Sequence, residues 1–570
     1  MGVQDLPKYV DTLPCGKHGV WEFDELRDTN LIVDGRGLCY YIHSSNRLDM
    51  KYGGQYQQLQ DKVREFVAKL QSNNVVPYVV FDGIMTKDEK KFHTKLKRKQ
   101  KCVKRMKAMW SSRSSTNDVV IPCLAQIAFV QVLQELDVKY AVADFEADCE
   151  IASLANELDA PVMAKDSDFY IFNIKCGYIP FPHYNFSCRN TTVKKFKFQN
   201  FAKHLGIDPG MLPLFASLIG NDYVSEDVLE QFMVYLQQPT DKIPAIAKFL
   251  SKYKSNDAST VFEAVVKLIP SGLQEEFRDK LRLSVEEYQT KESNLIGYFK
   301  SNDLSCNIVT FNHHSLPQWA VQLFRADSIA QSGFAFLCNL KVFLRPQCED
   351  TSKPSAQACV QKLRWWYYYA MLQHFENAAI GRELGQPQSE AGAQSLEITV
   401  TEFDRKESEY PEEGTWKFNL KEIISQIDVK IEDIRKMFDD DKKSHLLKLL
   451  DSDKPFIHNL EIEHQLVVAA LRYWIIKCDV NQKQLAAILV HYVAPFQHLQ
   501  AAKLYNGKQV CLVHKRLISE EGVEAESMVI DLDLYCQLHN LITKNIRDDW
   551  QLNTNFSTGN RFAVLAESNY

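Results

Sequence analysis

Two short apolar runs constrain this chain more than any other feature. LIVDG (31–35) and VVPYVVFDG (75–83) are rich in β-branched residues and end in Asp-Gly, a turn signal. Between them, YQQLQDKVREFVAKLQ (56–71) has helical period, with Leu59, Val63, Phe66 and Leu70 on one side. Strand, helix and strand predict a parallel pair joined by a crossover. The series resumes downstream. CLAQIAFVQVLQEL (123–136) reads as helix, KYAVAD (139–144) as strand and EADCEIASLANEL (146–158) as helix. PVMAKDSD (161–168) and FYIFNI (169–174) read as strand-like, and LPLFASLIGND (212–222) as a helix running into a glycine turn. The alternation predicts an α/β fold with a doubly wound, mostly parallel sheet.

At 570 residues the chain exceeds one ordinary core. The expected order is an N-terminal region (1–84), a basic helical segment (85–120) and an internal α/β region (121–225). A helical extension (226–330) and a helical C-terminal domain (331–570) follow. FNLKEIISQIDVKIEDIRKMF (418–438) and HQLVVAALRYWIIKC (464–478) are helical in pattern, and the polar stretch 381–395 reads as a mobile loop. RWWYYYAM (364–371) reads as the aromatic core of a buried helix rather than a base-stacking platform. No run of about 18 apolar residues occurs, so no membrane partner is expected. MGVQDLPKYV has no signal-peptide core. Fourteen cysteines without a CxxC pair read as reduced thiols of a cytosolic or nuclear protein.

In an open parallel sheet, ligands bind outside the carboxyl ends of the strands. Those ends carry Asp34, Asp82, Glu146 with Asp148, and Asp166 with Asp168; Asp222 closes the later helix. Each alone has an ordinary reading as turn, cap or dipole partner. Together they converge. Two like charges about 4 Å apart repel by roughly 4 kcal/mol at an effective dielectric near 20. Such a cluster calls for cations, and hard oxygen ligands without His or Cys point to Mg2+ or Mn2+. A pair of ions about 4 Å apart is the arrangement that hydrolyses phosphodiesters. Asp-Ser-Asp at 166–168 also resembles the nucleophile loop of haloacid-dehalogenase-type phosphatases. That family places DxDx[TV] near the first strand, whereas here Phe169-Tyr170 follow late in the sheet.

Charge is uneven along the chain. KKFHTKLKRKQKCVKRMK (90–107) holds ten Lys or Arg and no acid, leaving 57 basic against 73 acidic residues elsewhere. The run reads as a nucleic-acid-binding helix. KLKRK (95–99) also reads as a nuclear-localisation patch, so the expected compartment is the nucleus.

The motifs IVDG (32–35), VVFDG (79–83), EADCE (146–150), DSDF (166–169) and IGNDY (219–223), with the MG start, resemble the flap-endonuclease family, which includes the xeroderma pigmentosum group G nucleases. KYGGQY (51–56), LANELDAPVMAKDSDFYIF (154–172) and LPLFASLIGNDYV (212–224) narrow the resemblance to the asteroid homologs. The resemblance implies a PIN-like nuclease core with a helical arch. It implies two ions held by Asp34, Asp82, Glu146, Asp148, Asp166, Asp168 and Asp222, the family usually having Glu where Asp148 stands. It implies that Lys91 and Arg98, seven residues apart, contact the scissile phosphate from one helix face. Lys90, Lys95, Lys97, Lys99, Lys101, Lys104, Arg105 and Lys107 would then track the strand. It also implies that Gly2 lies near the site.

The Gly-rich helix-hairpin-helix that follows the GxDY motif in flap endonucleases is missing from NDYVSEDVLEQFMVYLQQ. That departure speaks against 5′-flap specificity; the asteroid resemblance implies cleavage of single-stranded DNA and 3′ overhangs at double-strand breaks, limiting resection and favouring end joining. A shieldin-type repair partner is implied at the same level. A non-catalytic DNA-end-binding adaptor and a ribonuclease are the alternatives. ESNLIGYF (292–299) resembles a sliding-clamp-binding box with Glu292 in place of Gln, or is a short amphipathic helix. His313-His314 read as a surface loop.

Overall fold

The structure is a computed structural model of the chain. It describes residues 2–3, 5–48, 54–85, 92–111, 120–184, 192–221, 223–224, 226–237, 239–253, 257–311, 313–329, 331–369, 371–372, 398–407, 409–419 and 439–478, with 480, 485, 488–489, 492, 510–514 and 527–531. The chain divides into two units, residues 1–353 with 400–417, and residues 354–399 with 418–570. Segments 331–353 and 400–417, expected to belong to the C-terminal domain, thus fold with the first unit.

The first unit is built on one sheet. Its strands are β1 (Trp21–Glu25), β2 (Thr29–Asp34), β3 (Val75–Phe81), β4 (Lys139–Val142), β5 (Val162–Ala164), β6 (Tyr178–Pro180) and β7 (Thr192–Phe196). The spatial order is β1-β7-β6-β5-β2-β3-β4. The five strands from β6 to β4 run parallel, and β7 and β1 pair antiparallel at one edge. This is the expected doubly wound α/β fold. Strands β1 and β7, with mixed polar sequences WEFDE and TVKKF, carry little apolar signal and were not anticipated.

Period-2 alternation supplies two buried faces. Ile32, Val80, Ala141 and Val162 share a core with α6 (Ala147–Glu157). Phe81 points the other way, meeting Phe129 of α5 (Ala125–Glu135) edge-on at 5.9 Å. On that side α2 (Gly35–Ser45) and α3 (Tyr56–Gln71) also pack, and α3 buries Leu59, Val63, Phe66 and Leu70 as its period requires. FYIFNI departs from expectation: residues 167–170 form a 3-10 turn, started by the Asp166 side chain accepting from the Asp168 N–H at 3.2 Å. Its aromatic residues still enter the core, which any conformation rich in Phe and Tyr could satisfy.

Downstream, α7 (Phe198–Leu205) and α8 (Leu212–Ile219) precede a helical run, α9 (Glu226–Tyr235), α10 (Lys242–Leu250), α11 (Ala258–Val266), α12 (Gln274–Glu286), α13 (Asn294–Ser301) and α14 (Gln318–Arg325). In α13 Leu295 is fully buried, and Phe299 meets Tyr78 edge-on at 5.2 Å. The apolar side of the suggested clamp box therefore faces its own core. His313 and His314 are exposed.

The basic run forms α4 (Phe92–Ser111). It is amphipathic. Leu96 and Val103 pack with Phe403 and Tyr410, and with Phe92 and Phe343 around them. Phe343 and Phe403 belong to β8 (Lys341–Phe343) and β9 (Thr399–Phe403), a parallel pair. The Tyr410 hydroxyl donates to the Leu344 and Phe403 carbonyls, and the Tyr410 carbonyl accepts from Gln100 at 3.2 Å.

The second unit has its own core, in which the helix Ile462–Lys477 sets Val468, Ala469, Tyr473 and Ile475 against Leu447, Leu450, Ile457 and Leu460. Residues 361–369 are helical, with Tyr368 and Tyr369 buried and Trp365 against Phe418 at 4.2 Å. The aromatic run is thus core, as expected. Within the largely helical expectation, an antiparallel pair, Val510–His514 with Ser527–Asp531, was not anticipated; VCLVH and SMVID are short and β-branched. The expected loop 381–395 and most of the helix 418–438 lie outside the described residues. No described helix is long and apolar enough to cross a membrane.

Candidate active site

Parallel neighbours with matched register end together. Asp34 pairs with Val80 across β2 and β3, and Phe81 with Val142 across β3 and β4, so the acids that follow each strand emerge along one edge. At that edge Asp34 caps α2, accepting from the Gly37 N–H at 2.8 Å. Burial pushes its carboxyl up to about 7, helped by the charges of Asp82 and Asp166 and opposed by the Gly37 N–H and Arg36. Asp82 Oδ1 accepts from the Ala147 N–H at 3.2 Å, tying the end of β3 to the first turn of α6. Its other oxygen pairs with Arg36 at 3.3 Å. Glu146 stands at the N-cap of α6 and Asp148 in its first turn.

Asp148, Asp166 and Asp168 come together. One carboxylate oxygen from each lies within 4.8 Å of the others. All three are half-buried, and Asp168 Oδ1 also accepts from the Tyr288 hydroxyl at 2.7 Å. The donor set is all oxygen, with water access, which fits a hard divalent cation and not zinc or copper. Asp34 and Asp82 border the same trio through the charge coupling just described. Asp222 lies outside the described residues; its neighbour Asn221 is fixed by accepting from the Tyr223 and Val224 N–H groups at 3.0 and 3.1 Å.

Gly2 abuts this site. Its φ is +54°, and a Cβ there would overlap Asp166 Oδ1 and Ser167 Oγ. Ser167 Oγ also donates to the Val3 carbonyl at 3.2 Å, so the N-terminal segment is sewn to the Asp166–Asp168 turn.

The basic helix splits into two faces. Lys97, Arg98, Lys101, Lys104, Arg105 and Lys107 are exposed. Lys95 is half-buried. Lys99 departs from expectation. It turns toward the packed side and donates to the Leu344 carbonyl at 3.1 Å. Burial pushes its ammonium down to about 7, helped by the positive charges of Arg345 and Arg36. Lys99 therefore braces the helix from its packed side. Lys90 and Lys91 lie outside the described residues.

Two residues were missed by sequence reasoning. Arg36 follows IVDG directly, and a cation two places after a strand-end acid was the available signal. Tyr288 had no signal, because its contact with Asp168 spans 120 positions of the chain.

A family model described as "XPG domain containing" matches residues 94–292. The protein named single-strand DNA endonuclease ASTE1 from Danio rerio is 30% identical over 425 residues, covering 71% of this chain and 58% of that protein. The human protein of that name is 28% identical over 393 residues, covering 65% and 56%. Protein asteroid from Drosophila melanogaster is 26% identical over 46% of this chain and 39% of its own length. The chain spans little more than half the length of the first two relatives. The solved catalytic core of Rad2 in complex with DNA substrate aligns with 54% of this chain and 89% of its own at 16% identity and a TM-score of 0.30. On these sequence matches the chain is similar to the asteroid proteins, and its residues 94–292 to the XPG domain.

Proposed function

We propose that this protein is a divalent-metal-dependent endonuclease that cleaves single-stranded DNA and 3′ overhangs. One observation carries the reading: Asp148, Asp166 and Asp168 bring carboxylate oxygens within 4.8 Å of one another, on the sheet edge that also carries Asp34 and Asp82. The names of the vertebrate relatives support the substrate class.

Asp34, Asp82, Glu146, Asp148, Asp166, Asp168 and Asp222 would hold Mg2+ or Mn2+, as a pair of ions. Bound there, the metal would supply an activated water and charge stabilisation for a departing oxygen. The chain's own groups do the rest. Arg98 and Lys91 would clamp the scissile phosphate, the guanidinium in two-pronged fashion and the ammonium as a point charge. Lys97, Lys101, Lys104, Arg105 and Lys107, with Lys90 and Lys95, would hold flanking phosphates without reading bases. The apolar packing of α4 keeps that stripe facing outward.

The biological setting that fits is nuclear double-strand-break repair, where trimming an overhang limits resection and favours end joining, with a shieldin-type partner. The inward packing of α13 does not support a sliding clamp as partner.

The test is direct. Labelled single strands, 3′ overhangs, 5′ flaps and matching RNAs are incubated with Mg2+ and either wild type or Asp82→Ala/Asp166→Ala. Cleavage of single strands and 3′ overhangs by wild type alone is expected. Metal-dependent cutting retained by the double variant would sink the site. A second reading is a DNA-end-binding adaptor without catalysis. Tight binding of every DNA with no cutting by wild type would decide for it.

A further inference from the structure

A helical segment beyond the α/β region reaches back into the acidic site. Tyr288, in the turn that ends α12, is buried, yet its hydroxyl is polar and must find partners. It donates to Asp168 Oδ1 at 2.7 Å and accepts from the Asn221 amide at 3.2 Å. The same amide reaches Ser284 Oγ at 2.7 Å, and Ser284 meets Ser217 of α8 at 2.6 Å. The Asn221 carbonyl oxygen in turn accepts from the Tyr223 and Val224 N–H groups in the turn that follows Asp222.

A carboxylate on a short 3-10 turn has two rotatable bonds. One fixed donor on Oδ1 removes most of that freedom and leaves Oδ2 and the second lone pair of Oδ1 for a cation. Hydroxyl donors placed this way orient metal-ligating carboxylates and tune their basicity. The ring is held from its own side as well, with Phe172 at 5.5 Å.

We propose that Tyr288 is a positioning residue that sets the rotamer of Asp168 for a divalent cation. The proposal rests on the metal-dependent reading above. It gives the helical extension a specific role, because the segment that follows IGNDY then shapes the metal site from behind.

The test measures metal binding itself. Mn2+ is titrated into the full-length, DNA-free protein by calorimetry, with electron paramagnetic resonance counting free ion. Wild type, Tyr288→Phe and Ser284→Ala are compared. Tyr288→Phe keeps the ring and loses only the hydroxyl, so folding is preserved, checked by its melting temperature. It should weaken Mn2+ binding by roughly tenfold, and excess Mn2+ should restore cleavage. Ser284→Ala disturbs the same hydrogen-bond network without touching Asp168 and should leave Mn2+ affinity unchanged. Equal affinity of Tyr288→Phe and wild type overturns this proposal alone. Equal losses in both variants also overturn it, because general loosening of α12 would then explain the effect. Wild type that binds Mn2+ but cuts nothing overturns the endonuclease reading and leaves the Tyr288 comparison valid. Wild type that binds no Mn2+ overturns both.

Discussion

Asp144 and Asp148 stand four residues apart at the carboxyl edge of one sheet, and their surroundings are opposite. Asp144 is almost fully buried and pairs with fully buried Arg325 at 2.6 Å. It also accepts from the Asn307 N–H at 2.8 Å and the Asn294 amide at 3.1 Å. Arg325 also donates to the Val142 and Ser305 carbonyls. That carboxylate is satisfied by the chain and is structural. Asp148 is half-buried and faces two further carboxylates within 4.8 Å. A buried charge with its own cation holds a fold together; charges of one sign gathered at an accessible edge lower stability and await an external cation. Electrostatic strain thus separates the candidate site from the scaffold.

The largest expected effect breaks the cluster. Asp166→Asn removes one negative charge while keeping size and the capping acceptor. Cleavage should fall by at least about a hundredfold, since a ligand change should cost no less than the outer-shell changes that cost 10–100-fold, while the metal-free melting temperature stays level or rises. A fall in both activity and stability would make Asp166 structural, like Asp144. Gel-resolved cleavage and calorimetric melting together give the answer.

Next comes the pair. Arg325→Met leaves Asp144 charged and buried and should destabilise the protein by about 3–5 kcal/mol. Denaturant unfolding measures it. Mn2+ affinity of the folded fraction should not change, because Asp144 is not among the gathered carboxylates. If Arg325→Met weakens Mn2+ binding as strongly as Asp166→Asn does, the contrast between the two carboxylate settings fails.

How far the comparison was readable in sequence depends on range. The alternation of LIVDG, the 56–71 helix and VVPYVVFDG sets the parallel sheet, because each element's period is local. The acids at the strand ends follow from it. KYAVADFEADCE alone does not say which of Asp144, Glu146 and Asp148 is structural. The deciding cation, Arg325, arrives from a helix far along the chain. Lys99 was misread for the same reason. A run of charges looks uniform, and the buried side of α4 is chosen by Phe343, Phe403 and Tyr410. FYIFNI failed locally, since a capping aspartate outweighed β propensity.

A third effect concerns pH. In the metal-free protein Asp34 sits near 7, above its unfolded value near 4. The native state therefore holds a proton that the unfolded chain has lost, and stability falls as pH rises from about 4 to about 7. Asp34→Asn keeps the Gly37 bond and should flatten that slope, gaining about 1–3 kcal/mol near pH 8 after allowance for partial exposure. Metal binding should release close to one proton at about pH 6 and almost none at about pH 9. Calorimetry in buffers of different ionisation heat reads the proton count. An unchanged pH slope in Asp34→Asn would mean that the strain in the cluster resides elsewhere.

The smallest effect sharpens the same contrast on the positive side. Lys99 is to α4 what Asp144 is to the sheet edge: a charge-bearing group used inside the fold. Its ammonium sits near 7 in the native state and near 10.4 when unfolded, so its contribution destabilises below pH 7 and the cost fades as pH rises toward 10. Lys99→Met should stabilise the protein near neutral pH and leave the salt dependence of single-strand binding unaltered. Lys101→Ala and Lys104→Ala, on the exposed stripe, should each lower the slope of log affinity against log salt by about 0.7 for a single strand. Fluorescence anisotropy across a salt series distinguishes them. A slope change for Lys99→Met equal to that of Lys101→Ala would mean that α4 leaves its Phe343–Phe403–Tyr410 seat when DNA binds. The helix would then be a moving gate rather than a braced one.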